Sequence, residues 1–232
     1  MPDPLPPPPP PGNAELQLGT VSSAPISAPT WRSRGYLPHR DEVGLLQSIT
    51  FRLADSLPQE KLRSLEQSLA TLPQSSRDLE QRKQIEAWLD AGIGCCALRH
   101  PAVAATVEAA LLHHDGERYR LLAWCIMPNH VHVLIQPHAP LAGIVQSWKS
   151  FTGRWALANN AELELGVPGK SLWMREYWDR YIRDETHLRA VIAYIHQNPV
   201  QAGLCPTPSA WPWSSARHLP PGTPSSSSAP SP

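Results

Sequence analysis

Two histidines separated by one residue, His130 and His132, stand in the run MPNHVHVLI, Met127 to Ile135. In an extended strand residues i and i+2 point to one face, so these imidazoles lie side by side while Val131 and Val133 point the other way. Two adjacent imidazoles suit a single divalent metal ion. The 232 residues include ten histidines, so chance alone places roughly 0.4 such pairs in the chain, and the spacing by itself is weak. Context strengthens it. Both rings follow a Pro-Asn turn in an otherwise apolar strand, where a buried polar ring needs a partner. His113, His114 and His138 are near in sequence and are expected at exposed positions, with His138 as a spare ligand.

A second constellation is AYIHQNPVQAGL, where Tyr194 and Asn198 stand four residues apart and so share one helix face. A helical tyrosine ordinarily packs its ring, and an Asn before Pro ordinarily terminates a helix. His196 points elsewhere on the same helix.

Elements must bring these groups together. A first strand is expected near Ile49 to Ala54. After it, PQEKLRSLEQSLATLP, SSRDLEQRKQIEAWLDAG and HPAVAATVEAALLHHDG show apolar residues at three- and four-residue spacing, with starts at Ser76 and His100-Pro101 and stops at Gly92 and Gly116. RYRLLAWCIM and HVHVLIQP read as two strands joined by Pro128-Asn129, which makes an antiparallel hairpin. LAGIVQSWKSFTGRWALANN is helical, with Ile144, Trp148, Phe151 and Trp155 on one face. LWMREYWDRYIRD alternates as a strand, with Trp173, Tyr177 and Tyr181 on one face, and ETHLRAVIAYIHQNPV is a helix stopped at Asn198-Pro199. Antiparallel strands with helices to one side make an α+β sandwich of ferredoxin-like type, with a helical insertion at about 58–116.

Residues 1–30 and 219–232 are rich in Pro, Ser and Ala and are expected to be disordered tails, which leaves one domain over 31–218. Lys plus Arg and Asp plus Glu are 20 each, so bulk charge supports no extended polyanion surface and leaves a small local site open. Cys95, Cys96, Cys125 and Cys205 lack CxxC spacing and are read as reduced thiols. The start, MPDPLPPPPPPG, has neither the charged beginning nor the apolar centre of a secretory signal. No run reaches the ~18 apolar residues of a membrane span. A cytoplasmic protein that does not engage a membrane is the expectation.

MPNHVHVL followed by YIHQNPVQAGL resembles the IS200-like Y1 transposases, and within them the REP-associated tyrosine transposases. These belong to the HUH endonucleases, whose His-hydrophobe-His element is here His130-Val131-His132. The resemblance runs from about Trp31 to Arg217. It implies a single-strand DNA endonuclease and strand transferase acting at hairpin-forming, REP-like sites in DNA transposition. His130 and His132 would hold Mg²⁺ or Mn²⁺, with the Asn198 amide as third ligand. Tyr194 would attack phosphorus to leave a 5′-phosphotyrosine and a free 3′-OH. Family members work as monomers or homodimers.

Such a substrate needs cations for phosphates and flat groups for bases. The candidates are Arg32, Arg34, Arg40, Lys149, Arg154, Arg175, Arg180 and Arg183, with Trp148, Trp173 and Trp178 among them. Between Gln146 and Glu185 six cations face six carboxylates, so sequence order reveals no net patch. WRSRGYLPH is similar to the family's base-reading N-terminal segment, or is a polar lead-in to the first strand. The chain departs from the family's compact form in the long helical stretch before the histidine hairpin. Alternative functions are a sequence-specific DNA-binding regulator that keeps the fold, and a replication-initiator or relaxase-type nickase. Intact His130, His132 and Tyr194 weigh against a pure binder, and the lack of an appended helicase weighs against the latter.

Overall fold

The computed structural model describes residues 31–33, 38–40, 43–57 and 59–218. Both expected tails and Arg34 lie outside the described residues. A short antiparallel hairpin comes first, β1 (Trp31–Ser33) with β2 (Pro38–Arg40). Then follow β3 (Gln47–Arg52), α1 (Gln59–Leu69), α2 (Gln74–Asp90), α3 (Pro101–His113), β4 (Tyr119–Ile126), β5 (His130–Pro137), α4 (Leu141–Ala158), β6 (Trp178–Tyr181) and α5 (Glu185–Gln201). The sheet has the order β4-β5-β3-β6 and every pair is antiparallel. That is the strand order of a ferredoxin-like βαββαβ unit, and the α+β class expected from the sequence is the class observed.

The helices divide between the two faces of the sheet, where the sequence led us to expect one. Ile49, Phe51, Trp124, Ile126, Val131, Val133 and Ile135 pack under α3 and α4, with Val103, Val107, Leu111, Ile144, Val145 and Trp148. Ala123, Cys125, Met127 and Leu134 point the opposite way and meet Leu188, Val191, Ile192 and Ile195 of α5. The reason is strand parity: alternation gives β5 two buried faces, one of Val and Ile and one of His130, His132 and Leu134, so each needs a cover. A β-bulge between Leu121 and Ala123 shifts the register of β4, which keeps Tyr119, Leu121, Trp124 and Ile126 on one side.

Local signals explain the helix ends near the site. Pro101 opens α3, and His100 caps it by accepting the Ala102 N–H. Asp184 caps α5 by accepting the His187 N–H at 2.7 Å. Asn198-Pro199 does not stop α5, because a proline in the last turn forfeits only one intrahelical bond; the Ala202 N–H still reaches the Asn198 carbonyl, and Gly203 at φ 69° ends the helix. In LWMREYWDRYIRD only Trp178–Tyr181 joins the sheet, while Trp173 makes a lone bridge to Leu53. All four cysteines are unpaired thiols.

Candidate active site

His130 and His132 are 1% and 2% exposed and face α5. Their Nε2 atoms converge to 2.9 Å, and each Nδ1 has its own partner. The Asn129 amide nitrogen donates to the Ile93 carbonyl, which leaves its Oδ1 to accept from His130 Nδ1 at 2.8 Å. Neutral His130 therefore presents a bare lone pair at Nε2. His132 Nδ1 meets the Thr50 hydroxyl at 2.9 Å, a group that can donate or accept. Burial, reinforced by the neighbouring imidazole, holds His130 well below the usual histidine range, and burial takes His132 down to about 4. Two neutral imidazoles with outer nitrogens oriented by second partners form a metal-ready pair. An ion holding both at ~2.1 Å on adjacent octahedral vertices would separate the nitrogens by ~3.0 Å, so their spacing fits. With the side chains as they stand, no third His, Cys, Asp or Glu among the described residues is within ligating distance together with them.

Tyr194 lies over this pair, its ring centroid 5.3 Å from that of His132 and nearly perpendicular to it. The two arrive from β5 and α5, elements remote in sequence that share the α5 face of the sheet. Burial pushes the Tyr194 phenol far up, the Glu86 carboxylate adds to the rise, and the Asn198 amide works against it. One helical turn on, Asn198 is fully buried, and neither of its amide atoms has a hydrogen-bond partner within normal geometry.

Helix α2 adds carboxylates that sequence reasoning missed. Ile85 and Leu89 bury themselves against Leu57, Leu65 and Leu69, and this fixes the rotation of the helix. Glu86 then faces Tyr194, and Asp90 Oδ1 comes within 3.9 Å of His130 Nε2. Burial, followed by the Glu86 charge, raises the Asp90 carboxyl to about 6. Thr50, Glu86, Leu89, Trp178, Arg180 and Tyr194 help to line a cleft of about 330 Å³ between α2, the sheet and α5.

The expected cations fall in separate places. Lys149, Arg154 and Arg175 line a second cleft together with Lys170, and no carboxylate is among its lining residues. Sequence order hid this: of the neighbouring acids none lines the cleft, although Glu176 lies close enough to act on the Lys149 charge. Arg180 lines the tyrosine cleft, and Arg183 is exposed just before α5. Arg32 belongs to β1, and Arg40 to β2. Trp173 was expected to stack on bases; it is 5% exposed, packs edge to face on Phe51, and donates its N–H to Thr152, so it is a core residue. Trp148 is likewise core, its N–H on the Tyr119 hydroxyl. His138 stands exposed at the far end of β5, out of reach of the pair.

Residues 109–198 match the family described as Transposase IS200 like. In that segment, which is less than half of the chain, the protein is similar to the IS200-like transposases. His130, His132, Tyr194 and Asn198 all fall inside the IS200-like segment, whereas α1 and α2 lie outside it. A Haemophilus influenzae protein named as a REP-associated tyrosine transposase is 28% identical over 105 residues, 42% of this chain and 58% of that protein. The match thus spans little more than half of the relative. A solved structure of a REP-associated tyrosine transposase bound to a REP hairpin is 16% identical, with a TM-score of 0.49 over 79% of this chain and 84% of that one. A Deinococcus radiodurans structure assigned as a transposase is 15% identical, with a TM-score of 0.32 over 68% of this chain and 91% of its own. Among the described residues no helix is long and apolar enough to cross a membrane.

Proposed function

We propose that this protein cleaves and rejoins single-stranded DNA at hairpin-forming sites, in DNA transposition, through a covalent tyrosine intermediate. The observation that carries the reading is the meeting of the Tyr194 ring with the converging imidazoles of His130 and His132. A half-buried tyrosine against two neutral, oriented histidines is an arrangement that phosphoryl transfer at a metal-bound phosphate can use.

In this reading Tyr194 Oη loses its proton and forms a bond to the scissile phosphorus as the bond from phosphorus to the 3′-oxygen breaks. The 3′-oxygen takes a proton and leaves as a hydroxyl, and the phosphate stays on the tyrosine as a 5′-phosphotyrosine. Rejoining is the reverse, with the ester bond conserved, so no nucleotide cofactor is consumed. Mg²⁺ or Mn²⁺ bound by His130, His132 and Asn198 would polarise the phosphate. The chain's own part is to orient those ligands through Asn129 and Thr50 and to hold Tyr194 against them. Lys149, Arg154, Arg175, Arg180 and Arg183, with Arg32 and Arg34 towards the N-terminus, would take backbone phosphates. The protein would act in the cytoplasm, as a monomer or homodimer.

The test uses labelled single-stranded hairpin DNA with Mg²⁺ or Mn²⁺, resolved on a denaturing gel. Wild type should give a protein-linked fragment that Tyr194→Phe does not give and that His130→Ala and His132→Ala reduce to background. An adduct in Tyr194→Phe removes the nucleophile assignment. A wild type that binds the hairpins and never cuts them is a binding protein.

A further inference from the structure

Asp90 occupies a place that disfavours negative charge in three ways. It is the last residue of α2, at the negative end of the helix dipole, and no basic residue stands in that last turn. Glu86 lies one turn earlier on the same face, so the two carboxylates repel. The side chain is also only 29% exposed, which withdraws part of its hydration. None of this serves the packing of α2, which Ile85 and Leu89 accomplish from the neighbouring face.

Its position is nonetheless closely held. Gly92 at φ 69° turns the chain directly after the helix, and the next residue, Ile93, gives its carbonyl to the Asn129 amide that orients His130. Leu98 then donates to the Pro128 carbonyl. The end of α2 is therefore tied to the turn that carries the histidines, and Asp90 Oδ1 stands 3.9 Å from His130 Nε2. A carboxylate ligand beside a nitrogen ligand on one ion lies ~3 Å from it, about one side-chain adjustment away. Asn198, fully buried with an unpartnered amide, stands one turn beyond Tyr194 on α5 and acts on the Tyr194 phenol.

We propose that Asp90, supplied by a helix outside the IS200-like segment, is a carboxylate ligand of the divalent ion held by His130 and His132. The ion relieves the crowding of negative charge at the end of α2, and the carboxylate gives a hard cation an anionic oxygen that two imidazoles and an amide lack. This rests on the metal-dependent reading of the site.

Binding of Mn²⁺ alone to the full chain, followed by calorimetry and by the thermal midpoint with and without the ion, separates the two. Asp90→Asn should weaken Mn²⁺ binding by about tenfold or more and shrink the ion-induced rise in midpoint, while its midpoint without metal equals or exceeds that of wild type. Asp90→Glu should recover part of the binding. If Asp90→Asn binds Mn²⁺ like wild type while His132→Ala does not, Asp90 is no ligand and the metal reading stands. If Asp90→Asn lowers the midpoint without metal, the residue is structural and the inference is overturned. If His130→Ala and His132→Ala bind Mn²⁺ as wild type does, or wild type binds none, the metal reading itself fails.

Discussion

Lys149 offers a test, at a single residue, of the proposed single-stranded DNA substrate. Burial lowers its ammonium to about 8, with Glu176 opposing the shift and Arg52 adding to it, while its Nζ donates to the Arg175 carbonyl. Below that pH it adds a charge to the cleft shared with Arg154, Lys170 and Arg175, and above it the charge is lost. Affinity of Tyr194→Phe protein for single-stranded DNA should therefore fall roughly threefold between pH 7 and 9, beyond any change in Lys149→Arg, where the charge persists. Stability moves the other way: the unfolded lysine keeps its proton up to 10.5, so the folded state gains as pH rises from about 8 towards that value. Fluorescence anisotropy and urea titration over the same pH series check both signs; a flat binding profile in Tyr194→Phe protein with Lys149 intact removes Lys149 from the proposed DNA path. At this scale the sequence was legible wherever one element fixed the geometry. The i, i+2 rule put His130 and His132 on one face, and the i, i+4 rule put Tyr194 above Asn198. Glu86 and Asp90 were not legible, because on α2 they look like any solvated acidic face until a distant strand is placed beneath them. Trp173 was misread for the converse reason: a tryptophan among arginines resembles a base-stacking group, and only tertiary packing on Phe51 reveals otherwise.

Among the elements, the segment from Gly92 to Leu98 couples the end of α2 to the histidine turn, and Gly94 is its most constrained point. Its φ is 97°, and a Cβ there would sit 2.9 Å from the Asp55 carbonyl oxygen. The Asp55 carboxylate is itself held by the Cys95 N–H at 2.6 Å, so the neighbour has little room to yield. Gly94→Ala should destabilise the protein by about 1–3 kcal/mol, read as a lower midpoint in urea at unchanged slope. Gly169→Ala is the comparison: its φ is 74° with nothing within 4 Å of the added Cβ, so only the backbone penalty applies and the loss should be smaller. Equal losses would mean that backbone strain alone, and not the contact with Asp55, limits the loop. The three helices before the hairpin, the hairpin itself and α4 could all be read from periodicity and turn chemistry. What periodicity could not supply was the face on which α5 packs, since His130, His132 and Leu134 mark β5 as buried on that side without naming the element that covers it.

On the scale of the whole molecule, the apolar interior of the described residues falls into three clusters of unequal size. Two are pressed against opposite faces of the sheet; the third joins α1 to α2 through Leu57, Leu65, Leu69, Ile85 and Leu89, with Trp178 beside it. Among the described residues this cluster is smaller than either of the two on the sheet, so α1 and α2 should open as a unit below the free energy of global unfolding. Opening would carry Glu86 and Asp90 away from Tyr194 and widen the cleft they share. Hydrogen exchange should accordingly show α2 amides exchanging faster than those of β4 and β5. Leu89→Ala removes a side chain only 2% exposed, at a cost of about 2–4 kcal/mol. Much of that cost should appear as faster exchange in α1 and α2, with protection in β4 and β5 changed far less. Mn²⁺ should slow exchange at the end of α2 in wild type and leave it unchanged in Asp90→Asn. If Leu89→Ala speeds β5 as much as α2, the three clusters unfold together, and α2 is a fixed wall of the active site, not a separable part of it.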